Sequence, residues 1–252
     1  MVLGSCGAWP EPGRACSGFV LEHGGLRVVL DLGYGTLPRL LTLLGSSAAD
    51  GIAAVIVTHA HPDHMVDLHG LFRARWYGRR GAAAIPLFAP ESVWARLVSL
   101  EDDGEDVLRR AFDWRPLPAG PQMIGPLRLE SMPLPHYLPN AGVRLSAPGL
   151  TLAYTGDTGP DPALADLGRE ADLFIADATD RTQRSSAPAG SGPALNLTAR
   201  QAGEAAAAAG ARRLLLTHFW PDNDRQASRA AAAAAFGGEI LLADEGLEVA
   251  LG

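Results

Sequence analysis

Directly after an unbroken apolar run, Ile52-Ala-Ala-Val-Ile-Val57, the chain reads Thr58-His59-Ala60-His61-Pro62-Asp63-His64. Nothing else in the sequence constrains the fold as strongly. A continuous apolar run of this length fits a strand buried on both faces, as in a sheet covered by helices. The three imidazoles and one carboxylate then lie on the loop leaving that strand. Neutral imidazole is a favoured ligand for zinc and similar ions, and carboxylate suits harder ones. A loop bent at Pro62 can turn His59 and His61 toward one ion, and Asp63 and His64 toward a second. The alternative is a solvated histidine loop with no ligand.

Two ions need more ligands than one loop supplies. Three further candidates each follow a predicted strand: His136 in Pro133-Leu-Pro-His136, Asp157 in Tyr154-Thr-Gly-Asp157, and His218 in Leu214-Leu-Leu-Thr-His218. Strand ends opening into loops are where α/β proteins place functional groups. Any one of the three alone reads as an ordinary loop residue; with the cluster they complete two sites. Asp31, in Val28-Val-Leu-Asp31-Leu-Gly33, is placed either to orient a histidine ligand or simply to form a turn. His23 falls in a turn, and His69 reads as structural, on a helix.

The rest of the chain alternates strand and helix signals. Residues 18–32 read as two strands around His23-Gly-Gly, and 127–132, 150–154, 172–176 and 212–217 as further strands. Helices are expected over 36–44, 91–100 and 104–112. Thr198 and Gln201 form a capping box that starts a helix through Ala209, stopped by Gly210. A second alanine-rich helix spans 224–236. Residues 181–195, rich in Ser, Ala, Gly and Pro, read as a mobile surface loop, and 240–243 with 247–251 as a hairpin. No linker or repeat interrupts the pattern, so residues 1–252 are expected to form one domain. Strands in two groups with helices between them suggest two packed sheets covered by helices.

The formal net charge of −7 argues against a protein built to grip a polyanion. Cys6 and Cys16 are too few and too far apart for a disulfide framework or a zinc pair and read as small buried residues. The first residues lack a signal-peptide pattern, and no stretch is long and apolar enough for a membrane span, so the expected location is cytoplasmic.

The order His-x-His-x-Asp-His, then His, Gly-Asp-Thr and Thr-His resembles the metallo-β-lactamase superfamily over nearly the whole chain. The resemblance implies a four-layer αβ/βα sandwich, with two mixed sheets flanked by helices. It implies His59, His61 and His136 on one metal, Asp63, His64 and His218 on the other, and Asp157 bridging both, with a shared hydroxide as nucleophile. Two zinc ions are expected, with manganese or iron as alternatives. The bridging aspartate separates the chain from true β-lactamases.

Within the superfamily the chain is similar to the ribonuclease Z group and its small phosphodiesterase-like relatives. The similarity rests on Gly4–Arg14, His64–Leu71, Asp177-Ala-Thr179 and Asn196-Leu-Thr-Ala. It makes Asp63, Asp157 and Asp177 candidate catalytic carboxylates. Two departures matter. Asn196 stands where that group has a histidine, and an amide cannot act as a general acid. Asp177 replaces a longer glutamate. The segment 158–195 is also short and not basic where the tRNA-processing enzymes carry a tRNA-gripping arm. The expected function is therefore a two-metal hydrolase of a small phosphodiester or ester, and nucleic acid is not the expected partner. Arg14, Arg144 and Arg181 are candidate anion contacts. The alternatives are tRNA 3′-processing, lactone or thioester hydrolysis, and a metabolite-binding accessory protein without activity. Relatives imply a homodimer.

Overall fold

The structure is a computed structural model and describes residues 1–179 and 194–251. Most of the 181–195 loop and Arg181 therefore lie outside the described residues. The chain divides into two compact units, Met1–Leu117 with Asp244–Glu248, and Pro118–Ala243 with Val249–Gly252.

The first unit holds a six-stranded sheet in the order β1 (Val2–Gly4), β2 (Gly18–His23), β3 (Leu26–Leu30), β4 (Ala54–Ile56), β5 (Ile85–Ala89) and β6 (Phe112–Pro116). The first three strands pair antiparallel and β3 to β6 pair parallel. Parallel neighbours need crossovers, and helices supply them. α1 (Thr36–Leu44) joins β3 to β4, and α2 (Pro62–Met65) and α3 (Asp67–Gly78) join β4 to β5. α4 (Glu91–Ser99) and α5 (Glu105–Ala111) then join β5 to β6. The strand expected from the apolar run 52–57 is β4, fully buried as its composition requires.

The second unit holds a seven-stranded sheet, running in chain order from β7 to β13. β7 (Gln122–Ile124), β8 (Leu127–Leu134), β9 (Asn140–Ala147) and β10 (Leu150–Tyr154) form an antiparallel meander. β11 (Leu173–Asp177), β12 (Arg213–Thr217) and β13 (Glu239–Leu242) continue it in parallel with β10. α6 (Ala163–Leu167), α7 (Ala199–Ala209) and α8 (Arg225–Ala233) supply the crossovers. The capping box is present, with Gln201 N–H donating to Thr198 Oγ1 at 3.1 Å and Thr198 N–H to Gln201 Oε1 at 2.9 Å. The alanine runs let helices approach closely: Ala199, Ala202 and Ala206 pack in one core with Phe174, Leu214 and Leu216. A Cβ on Gly203 would sit only 2.6 Å from the Ala232 carbonyl oxygen on α8. Both sheets are mixed and flanked by helices.

The C-terminal hairpin expected over 240–251 does not form. Ile240 pairs in β13 with parallel β12. The segment after it instead bonds the edge of β1, Leu247 O accepting from Val2 N–H and Gly246 N–H donating to Val2 O, both at 2.9 Å. A strand edge already in the first unit satisfies those backbone groups better than a two-stranded ribbon would alone.

The stretch after β3 straps the histidine loop in place. Leu32 N–H donates to His64 O at 2.8 Å, and Asp67 N–H to Leu32 O at 3.0 Å. At Gly33 a Cβ would lie 1.8 Å from the Asp63 carbonyl oxygen, so only glycine fits. Replacing Gly33 with alanine is expected to destabilise the protein by roughly 1–3 kcal/mol through forced backbone displacement. Urea unfolding monitored by circular dichroism should show a lower midpoint; an unchanged midpoint would contradict this contact.

Candidate metal centre

Every candidate ligand follows the end of a strand in its own unit; β4, β10 and β12 are parallel-paired strands, whose open ends present groups to ligands, and His136 alone follows an antiparallel strand, β8. In the first unit, β4 delivers His59 and His61, and α2 begins at Pro62 with His61 as its N-cap. His59 Nε2 and His61 Nδ1 face each other at 3.0 Å. Asp63 and His64 share the single turn of α2, with Asp63 Oδ2 3.7 Å from His64 Nε2. Asp63 Oδ2 also accepts the Ala8 N–H at 2.7 Å.

Asp31, fully buried at the end of β3, organises this loop. Its Oδ2 lies 2.7 Å from His64 Nδ1, and its Oδ1 accepts the Thr58 N–H at 2.8 Å. The Thr58 hydroxyl donates to Asp31 Oδ2 at 3.0 Å, which leaves its oxygen to accept from His59 Nδ1 at 3.1 Å. Both histidines thereby carry the proton on Nδ1 and turn the Nε2 lone pair away from the carboxylate, the tautomer a metal ligand needs.

The second unit repeats the device. His136 follows β8, and its Nδ1–H donates to Leu195 O at 2.7 Å. His218 follows β12, and its Nδ1 lies 2.7 Å from Thr179 Oγ1. Thr179 in turn donates to Asp177 Oδ2 at 3.2 Å. A carboxylate, a threonine hydroxyl and an imidazole thus form a chain in each unit: Asp31–Thr58–His59 and Asp177–Thr179–His218. Asp157 Oδ2 lies 3.1 Å from His218 Nε2 and 3.7 Å from His136 Nε2. Asp31 and His218, both non-glycine, adopt φ of 57° and 58° immediately after their strands. Such left-handed residues cost free energy and cluster at functional sites.

The separations suit a shared cation. Two ligands at about 2.0–2.1 Å from a tetrahedral ion stand about 3.3–3.4 Å apart. The 3.0 Å of His59–His61 and the 3.1 Å and 3.7 Å about Asp157 bracket that value. The donor set, imidazole nitrogens and carboxylate oxygens, fits divalent metal.

Asp177 does not stand among the ligands. It is fully buried, and its Oδ2 accepts from Leu197 N–H at 3.1 Å and Asn196 Nδ2 at 3.3 Å as well as from Thr179. Burial, reinforced by the Asp157 carboxylate, pushes Asp177 up to about 7. Asn196 serves as an amide donor that fixes this carboxylate. Sequence reasoning assigned no role to Thr58 and Thr179; their positions beside His59 and two residues after Asp177 were the available signal. His69 pairs with Glu101 at 2.9 Å. Cys6 and Cys16 are both buried, and Cys6 Sγ donates to Glu11 Oε2 at 3.6 Å. Arg14 is held by Asp244 and Glu245, and Arg144 donates to Leu167 O at 3.0 Å, so both arginines are engaged within the fold.

A family model described as a beta-lactamase superfamily domain matches residues 26–219. An uncharacterized protein of Mycobacterium leprae is 35% identical over 95% of this chain and 84% of its own length. A ribonuclease Z of Kineococcus radiotolerans is 29% identical over 88% of this chain and 84% of its own. Among solved structures, the metallo-beta-lactamase fold protein YhfI from Bacillus subtilis superposes with a TM-score of 0.84, covering 98% of this chain and 96% of that one at 24% identity. Among the described residues no helix is long and apolar enough to cross a membrane.

Proposed function

The chain belongs to the beta-lactamase superfamily and is a metallo-hydrolase of it, and within that family we propose that it is a two-metal phosphodiesterase acting on a small substrate. The observation that carries the reading is Asp157. One of its oxygens lies beside both His136 and His218, a member of each proposed ligand set, as a bridging carboxylate must. His59, His61 and His136 would hold one ion, Asp63, His64 and His218 the other, and Asp157 would serve both; zinc suits this nitrogen-rich set, and manganese or iron could take the same ligands. Two such ions, when bound, lower the pKa of a water and stabilise charge on a phosphoryl group.

The remaining assignments follow from the chain's own contacts. Asp31 and Thr58 hold His64 and His59 in register, and the Ala8 N–H holds Asp63. Asp177 is a positioning residue that acts on His218 through Thr179. Asn196 donates a hydrogen bond but supplies no proton, which weakens the RNA-processing reading relative to a substrate with a good leaving group. Exposed aromatic residues stand near these residues in sequence: Tyr137 follows His136, Trp220 comes two residues after His218, and Trp9 follows Ala8, whose N–H holds Asp63. Such rings stack on a nucleobase, so a small nucleotide phosphodiester is the favoured substrate class.

The test is a hydrolysis panel on the metal-loaded protein. Bis-p-nitrophenyl phosphate and a cyclic mononucleotide should be cleaved with kcat/KM about a hundredfold or more above a homoserine lactone and an acyl thioester. Preferred cleavage of the lactone or thioester would overturn the assignment. The second reading, tRNA 3′-processing, is favoured by similarity to a ribonuclease Z; efficient cleavage of a precursor tRNA beside slow cleavage of mononucleotides would establish it instead.

A further inference from the structure

A second feature of the first unit has no part in the metal chemistry. The end of α3, the loop 79–84 and the end of α5 enclose a cavity of about 610 Å³ lined by Arg75, Trp76, Arg79, Arg80 and Arg110. The metal-ligand loop lies at the opposite end of α3. A twelve-residue helix is about 18 Å long, so this cavity is separate from the ligands.

The four arginines differ in what they do. Arg75 is nine-tenths buried and belongs to the scaffold: its guanidinium bonds Ala48 O, Ala83 O and Asp50, the last at 3.2 Å. Arg79 shares the same Asp50, also at 3.2 Å. Arg110 lies over the Trp76 ring at 5.7 Å. Neither Arg110 nor Arg80 has a carboxylate partner among the described residues, and both are exposed.

The charges decide the ligand class. Four guanidinium groups face one carboxylate, and the C-termini of α3 and α5 each contribute about half a negative charge. The balance is about +2 in a chain whose overall charge is −7. Arg75 and Arg110 stand in the last turns of α3 and α5 and complement those helix ends, which leaves the surplus around Arg79 and Arg80. A phosphomonoester carries about −1.5 to −2 near neutrality and matches the planar arginine fork. The cavity volume falls in the range of small-molecule sites. Its extent is bounded, unlike the continuous basic stripe that tracks a nucleic-acid backbone.

We propose that this arginine-lined cavity binds a small organic phosphomonoester at a site separate from the metal centre. The phosphate is held by Arg79, Arg80 and Arg110, and the organic remainder rests beside Trp76.

The experiment is isothermal titration of the metal-loaded protein with adenosine 5′-monophosphate, with adenosine as the uncharged control. The wild type is compared with an Arg80→Glu/Arg110→Glu variant and an Arg80→Lys/Arg110→Lys variant, each checked for an unchanged thermal melt. Both positions are exposed, so the fold should persist. A binding event weakened about tenfold or more by the charge reversal and less by lysine is expected, with adenosine silent and hydrolysis of bis-p-nitrophenyl phosphate unchanged without the nucleotide. Identical isotherms in wild type and the reversed variant would place all nucleotide binding elsewhere and overturn the proposal. So would a short single-stranded RNA binding more tightly than the mononucleotide in an Arg80- and Arg110-dependent way. Because the readout is binding, the proposal stands or falls independently of which ester the metal centre hydrolyses.

Discussion

Replacing Asp157 with alanine is expected to lower phosphodiester hydrolysis on the order of a thousandfold and to strip metal from the protein. The reason is geometric. Asp157 Oδ2 stands 3.1 Å from His218 Nε2 and 3.7 Å from His136 Nε2, so its loss removes a ligand from both proposed sites at once. It also takes from His136 and His218 the carboxylate that stands beside both rings. Losing a single electrostatic contact to the reacting group in an enzyme typically costs about 10²–10³ in rate, and a bridging ligand should lie at the upper end. Steady-state kinetics with bis-p-nitrophenyl phosphate, beside metal analysis of the same samples, reads both effects. A variant with full metal and full rate would refute the bridging role.

The second large effect is expected at Asp31, which touches no substrate. Its side chain is fully buried and contacts His64 Nδ1, Thr58 N–H and the Thr58 hydroxyl. Truncation to alanine leaves the Thr58 N–H unpaired in the interior, at a cost of about 1–3 kcal/mol, and frees His64 to rotate. Loss of a partner that orients a ligating histidine typically lowers metal affinity about 10–100-fold. Asp31→Asn preserves the shape and an acceptor oxygen for Thr58 but lacks the negative charge that favours the His64 proton. Asp31→Asn should therefore retain most of the stability and lose metal affinity, whereas Asp31→Ala loses both. Urea unfolding and competitive chelator titration separate the two. Equal metal affinity in wild type and Asp31→Asn would show that Asp31 is only a structural turn residue.

The histidine loop was legible in the sequence because its four candidate ligands lie within one short segment. His136, Asp157 and His218 were legible only as a set, each following a strand. What Asp31 holds was not legible, since His64 is 33 positions away and only the fold closes that gap. The threonine links were missed for a different reason: threonine is common after strands, and nothing local marks Thr58 or Thr179 as a bridge between carboxylate and imidazole. Strand β9 escaped the reading because Gly142 interrupts its apolar pattern. The structure supplies the reason for that glycine, since a Cβ there would lie 2.5 Å from Leu134 Cδ1 on neighbouring β8. Strand β5 carries Pro86, and β6 carries Asp113 and Arg115, so neither shows an unbroken apolar run. The final residues were assigned to a local hairpin because pattern alone cannot reveal that their backbone partner is Val2.

Stepwise metal return tests most directly whether the chain works as the proposed binuclear metal hydrolase. Protein stripped with a chelator should be inactive toward bis-p-nitrophenyl phosphate, and zinc added back in fractional equivalents should restore the rate, reaching its plateau at two ions per chain. Activity that survives complete stripping, or that saturates below one ion per chain, would contradict the account.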